Sequence, residues 1–236
     1  MIPDHFYITG LGLAVYATLY LPLAYALVKM GNRLLKGIWK KAWPRLAIVV
    51  PAGLLVASAP MLEVYSISMD AQRLCREQAG LKVYRVVEAD GFLGEGLGKR
   101  LVEYGYTYAE DGGTQNRKFR QTIKNGKVIT EQIEEYSARY RVKGGDNHRV
   151  IGSHFSRSSD VVVDRQTGEV LGELGVIGIF PGLLDNIAIA LTGMGSGFNP
   201  WACGEEAPPG RTFKLGAYDL IMATIQPSGQ HKGEQK

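Results

Sequence analysis

FYITGLGLAVYATLYLPLAYALV, Phe6 to Val28, and LAIVVPAGLLVASAPML, Leu46 to Leu62, are runs of 23 and 17 residues without a charge. A helix crossing the hydrocarbon core needs about 20 apolar residues, within a range of about 17 to 25. The first run meets that length. The second sits at its lower end, and Val64, Tyr65 and Ile67 can extend it past Glu63. The expectation is a transmembrane helical hairpin over residues 1–62, with spans near 6–28 and 46–62 joined by a connector at 29–45.

The connector carries Lys29, Arg33, Lys36, Lys40, Lys41 and Arg45 and no acidic residue, with Trp39 and Trp43 among them. Lys and Arg accumulate in short cytoplasmic loops, and aromatic residues anchor at the headgroup level. These six cations therefore set the topology: connector in the cytoplasm, both termini on the far side. The formal net charge of +4 follows from this connector, because the chain after Leu62 holds 21 Lys and Arg against 22 Asp and Glu. The basic balance thus reflects topology and gives no reason to expect a nucleic-acid partner.

Either run could instead be a cleaved leader, since Ala24-Tyr25-Ala26 and Ala57-Ser58-Ala59 have small-x-small spacing. The first lacks a basic n-region and is too long, and Pro60 follows the second. Pro22 and Pro51 are compatible with spans, because neighbouring helices can satisfy the carbonyls that proline frees.

Beyond the hairpin the expected fold is a mainly antiparallel β domain over 63–225, with one short helix, followed by a disordered tail at 226–236. Overall the class is α+β. Ser68 is a candidate N-cap and Gly80 a C-terminal stop, which predicts a helix over Met69 to Ala79. Leu81 to Val87 reads as a strand. Asn125-Gly126 is the strongest hairpin signal, and a two-residue turn there places Lys124 opposite Lys127, Arg120 opposite Glu131 and Arg117 opposite Glu134. Those pairings predict ion pairs for Arg120 and Arg117. They leave Lys118, Lys124 and Lys127 as the candidate contacts for an anion. Asp164 to Gly168 predicts a second turn, capped by the Asp side chain, with Gly168 in the left-handed region.

Val176 to Met194 carries one charge, Asp185, in 19 residues. A third span, an interfacial helix and a packed-down segment all fit it; Pro181-Gly182 argues against a span, as does the cost of an acid at mid-bilayer.

The chemistry-bearing residues are few. His148 and His154 are six apart, too far to share a metal if they lie on one strand. Asp160 and Asp164 are too widely spaced for paired acid–base work, and the glycines at Gly91, Gly94, Gly96 and Gly98 lack a phosphate-binding context. No catalytic residue, metal site or cofactor is assigned. Cys75 and Cys203 are the two cysteines. Both fall on the non-cytoplasmic side of the expected topology, where a disulfide persists.

The N-terminal span, Leu74-Cys75, Lys82-Val83-Tyr84, the turn from Val163 through Asp164, Arg165, Gln166, Thr167, Gly168, Glu169 and Val170 to Leu171, and the late Cys203 resemble uncharacterised membrane-anchored proteins of Gram-negative bacteria. The resemblance implies a membrane-anchored protein of a Gram-negative bacterium and no activity; together with the connector's charges the expectation is an inner-membrane protein with both termini and the β domain in the periplasm. The expected role is non-enzymatic: contact of the β domain with an envelope protein or a second copy of the chain. The alternatives are a lipid or small-ligand binding module, and a transport role if 176–194 forms a third span.

Overall fold

The computed structural model describes residues 4–39, 41–94, 104–112, 117–144, 149–152, 154–193, 201–206 and 214–228. Lys40, Gly96, Gly98, His148 and the tail from 229 lie outside the described residues. The chain divides into two compact units. The first comprises Met1–Arg76, Ile151–Phe155 and Ile179–Trp201; the second comprises Glu77–Val150, Ser156–Gly178 and Ala202–Lys236.

The first unit is built on two helices long and apolar enough to cross a membrane: α1 (Gly10–Ile38) and α2 (Ala42–Gln78), with mean hydropathies of 1.8 and 1.9 in their most apolar stretches. Proline shapes both. Pro22 has no N–H to give back along α1, and the helix widens into a π turn at Tyr16–Tyr20 just before it. In α2, Pro60 cannot donate to the Val56 carbonyl; the Tyr20 hydroxyl donates to that oxygen at 2.6 Å, and Tyr16 donates to Ala57 O at 2.9 Å. A neighbouring helix thus supplies the bond that proline removed.

The helix expected at Met69 to Ala79 is the last part of α2 and has no separate start. Ser68 is buried in mid-helix, where its hydroxyl donates to Val64 O at 2.7 Å, a backbone bond that replaces the capping role.

Of the stretch 176–194, residues 176–193 are described and Met194 lies outside the described residues. Its first residues belong to a strand, the chain breaks at Pro181-Gly182, and Leu183–Thr192 forms a helix, α3, of 10 residues. At 1.5 Å per residue α3 is about 15 Å long, half of what a span requires. Leu184 and Ala188 of α3 pack against Val15 of α1, with Met61 of α2 alongside. Asp185 is buried and accepts bonds from the Thr9 amide (3.1 Å) and the Thr9 hydroxyl, while Thr9 Oγ1 accepts the Gly12 N–H at 3.0 Å. The carboxylate therefore completes the N-terminus of α1, where a helix dipole favours negative charge. Gly12 is required by this approach, since a Cβ there would lie 2.3 Å from Asp185 Oδ1.

The second unit is a mostly antiparallel sheet with added helix. Its strands are β1 (Gly80–Val83), β2 (Val87–Ala89), β3 (Gly91–Leu93), β4 (Tyr108–Gly112), β5 (Lys118–Lys124), β6 (Lys127–Ile133), β7 (Tyr140–Gly144), β8 (Arg149–Val150), β9 (Phe155–Asp164), β10 (Val170–Ile179), β11 (Trp201–Cys203) and β12 (Ile225–Pro227). The order is β1-β10-β9-β7-β3-β4-β5-β6, with β8 beside β9 and β11 beside β10; β12 and β2 form a separate pair. Among the described residues β3 pairs in parallel with β4 and with β7, and β12 with β2.

A short helix, α4 (Ala217–Thr224), contributes Leu220 and Ile221 to a core with Phe92, Tyr106, Val162, Leu171 and Leu174. The two turns read from sequence are present. Asn125 and Gly126 both have positive φ, 54° and 70°, as a type I′ turn demands. Asp164 Oδ1 accepts the Gln166 N–H at 2.9 Å, and Gly168 has φ 76°.

Both cysteines are disulfide-bonded and none is free. With two cysteines in the chain, the bond is Cys75–Cys203.

Candidate functional site

The β5–β6 hairpin has the register expected from the Asn125-Gly126 turn, running from Lys124↔Lys127 through Arg120↔Glu131 to Lys118↔Ile133. The ladder stops there, one step short of the Arg117–Glu134 pairing. Because a two-residue turn is flanked by a hydrogen-bonded pair, bonded and non-bonded pairs then alternate. Lys127, Ile129, Glu131 and Ile133 turn their amides toward β5. The amides and carbonyls of Val128, Thr130 and Gln132 face away from it. No strand pairs with that outer side of β6 among the described residues. Every residue of β6 except Ile133 is exposed.

The charges on this hairpin are arranged differently from the expectation. Arg120 stands between Glu110 on β4 and Glu131 on β6, opposite both. It bonds Glu110, at 2.6 Å from Nη2 and 3.1 Å from Nε. The reason is desolvation: Glu110 is fully buried and Glu131 half exposed, so the buried charge has far more to lose if left unpaired. Glu110 also accepts the Ser137 N–H and hydroxyl and the Ala138 N–H, at 3.1, 3.0 and 2.9 Å. Burial by itself would raise its pKa, but the Ala138 amide, Arg120 and Ser137 together hold it below the ordinary carboxylate range.

Glu131 is instead paired diagonally with Lys124 at 2.9 Å. Lys118 donates to Glu134 O at 2.7 Å and lies over the Tyr136 ring. Of the three candidate anion contacts, Lys118 and Lys124 are therefore engaged within the hairpin. Lys127 alone of the three has no hydrogen bond or ion pair among the described residues.

A cavity of about 610 Å³ opens where β3 and β7 diverge, lined by Tyr136, Arg141, Lys143 and Asp160 with Leu93 and Val142. Its size falls within the usual range for small-ligand sites, about 300 to 1,000 Å³. Burial pushes the Asp160 carboxyl above its ordinary value, and no hydrogen bond or ion pair reaches it among the described residues. Nearby Asp164 is held low: the Arg139 guanidinium at 2.7 Å outweighs burial, and the Gln166 amide adds to it. Sequence reading missed the cavity because its walls come from strands far apart in the chain; the one local signal is the alternation of Tyr136, Ala138, Tyr140 and Val142 with Ser137, Arg139 and Arg141.

Lys29, Arg33, Lys36, Lys41 and Arg45 make no ion pair among the described residues. His154 follows β8 in the reversal toward β9, and its Nε2 lies 3.8 Å from Glu63 Oε1. No group of three or more His, Cys, Asp or Glu residues able to hold a metal occurs among the described residues.

No protein-family model, no curated protein and no solved structure matches this chain.

Proposed function

We propose that this chain is a non-enzymatic, membrane-anchored protein whose β unit is presented for contact with another protein, and that the contact is made by adding a strand to β6. The observation that carries this reading is the open side of β6: seven residues long, exposed, and offering at Val128, Thr130 and Gln132 backbone groups that pair with no strand among the described residues. Such an edge is a template for another chain unless it is blunted or covered. Lys127 and the Lys124–Glu131 pair guard only its turn end.

Anchoring is supported by the exposed apolar side chains of α1 and α2, among them Leu23, Tyr25, Leu54 and Leu55. The six connector cations favour a cytoplasmic connector, with both termini outside the cytoplasm. The disulfide fits an oxidising compartment such as the periplasm of a bacterial inner-membrane protein.

The test is photocrosslinking in cells from an unnatural residue at Thr130, with and without Gln132→Pro. Proline removes an outward donor from β6 without breaking a bond to β5. A discrete crosslinked protein, or a crosslinked homodimer, that disappears with Gln132→Pro is the expected result. Crosslinking that persists unchanged, or none at all, refutes strand addition.

A second reading rests on the cavity lined by Tyr136, Arg141, Lys143 and Asp160: binding of a small polar ligand. It would be favoured by a co-purifying small molecule whose retention falls with Asp160→Asn.

A further inference from the structure

Between α1 and α2 runs an apolar groove of about 260 Å³ whose lining includes Val28, Gly31 and Leu35 on one helix and Val49, Ala52 and Val56 on the other. The helices are brought together by Val28 packing onto Gly53, where a Cβ would lie 2.5 Å from Val28 Cγ2. From Ile48 to Val56 the groove extends about 12 Å at 1.5 Å rise per residue. Arg45 lies on the same stripe of α2 as Val49, Ala52 and Val56, one turn closer to the connector, since residues four and three or four apart share a helix face. Its Nε is buried and has no hydrogen-bond partner. A buried guanidinium donor without an acceptor is costly.

We propose that this groove holds one anionic phospholipid from the leaflet at the connector, with an acyl chain between the helices and the headgroup phosphate on Arg45. Charge selects this occupant. No acidic residue occurs between Asp4 and Glu63, so a second copy of this chain would bring only further cations to the same level and be repelled. Arg45 stands one turn beyond the groove's lining and its side chain is only half-buried, so its guanidinium can turn to a phosphodiester in the planar geometry that such groups favour. Lys29, Arg33 and Lys36 fall on the opposite side of α1 by helical spacing. They raise the local positive potential and leave the direct contact to Arg45. The proposal rests on reading α1 and α2 as membrane spans.

The experiment uses the full-length protein in detergent micelles containing equal phosphatidylglycerol and phosphatidylcholine, with bound lipid counted by native mass spectrometry. One phosphatidylglycerol per chain is expected, at about tenfold preference, and Arg45→Gln should remove about that factor, the worth of one charge-assisted bond. Arg33→Gln, on the outward stripe, should change retention less than about twofold, as a screened surface charge does. Ala52→Phe, at an exposed groove position, should exclude either lipid. Equal retention of the two lipids, or Arg45→Gln binding like the parent, overturns the proposal. Displacement of the lipid by millimolar inorganic phosphate also overturns it, because the site would then be an anion site without a chain groove. Alkaline carbonate washing of membranes separates the two failures: release of the protein defeats the spanning reading itself, whereas retention with no lipid preference defeats only the lipid site.

Discussion

Replacing Glu110 by Gln tests how the sheet unit is held together. The carboxylate is fully buried and receives five donors: two from Arg120, two from Ser137 and one from Ala138. Oε2 serves the Ala138 amide alone, so an amide NH₂ at that position would face another donor. Flipping the side chain only moves the conflict to Ser137. One buried N–H is then left unsatisfied, at about 1 to 3 kcal/mol. The bond to Arg120 loses its ionic character, at about a further 1 kcal/mol. Arg120 is not stranded, because Glu131 lies directly across on β6.

The expected loss is therefore about 2 to 4 kcal/mol, a large share of the 5 to 15 typical of a whole domain. Glu131→Gln removes only the exposed bridge to Lys124 and should cost about 1 kcal/mol or less. Pulse proteolysis in urea on the full-length protein in detergent measures both, and a cycle with Arg120→Gln isolates the coupling. If Glu131→Gln costs as much as Glu110→Gln, or if Glu110 and Arg120 prove uncoupled, the assignment of Arg120 to Glu110 is refuted.

Glu110 and Asp164 both have lowered pKa values when folded. Their contribution is present above the unfolded carboxylate range, near pH 4, and is lost as pH falls through the folded values; urea midpoints between pH 7 and 3 should drop, and less steeply in Glu110→Gln. Tyr20→Phe leaves the Val56 carbonyl without its donor and should cost about 1 to 3 kcal/mol, read as a lower melting temperature in detergent; an unchanged value would show that the carbonyl needs no partner. Gly12→Ala pushes a methyl into Asp185 and should loosen α3 from α1, seen as faster hydrogen exchange at Leu184 and Ala188, with no change if that approach is slack. Cys75→Ser with Cys203→Ser opens a loop of about 128 residues and should cost about 4 to 5 kcal/mol by the chain-entropy model; a melting temperature equal to the parent's would show that the bond adds nothing.

How much of this was legible depended on sequence distance. The Asn125-Gly126 turn and the Asp164 to Gly168 turn are complete within a few residues, so turn chemistry fixes both, and the register of β5 with β6 follows by counting. The two apolar helices are likewise a matter of length. Arg120 shows where that logic stops. Its neighbour Glu131 can be found by counting from the turn, but its true partner Glu110 comes from β4, whose place beside β5 no local pattern announces. Ser68 is a reasonable cap by residue type and is overruled by the continuation of α2 around it. The parallel pairs of β3 escape for the same reason, as do the cavity beside it and the break of 176–194 into strand and helix. Each depends on which distant strand lies alongside.

The bond between Asp185 and Thr9 spans 176 residues of chain, and that separation has a consequence in time. A ribosome working at about 5 to 20 residues per second needs roughly 10 to 35 seconds to travel from one to the other. Throughout that interval the start of α1 exists without the carboxylate that finishes it, with Thr9 and Gly12 already made and α3 not yet synthesised. The start of α1 is thus made long before the residue that completes it. A nascent chain stalled before residue 185 should hold its first helix loosely enough for proteases to reach the residues ahead of Gly10, and a chain released after Thr192 should not.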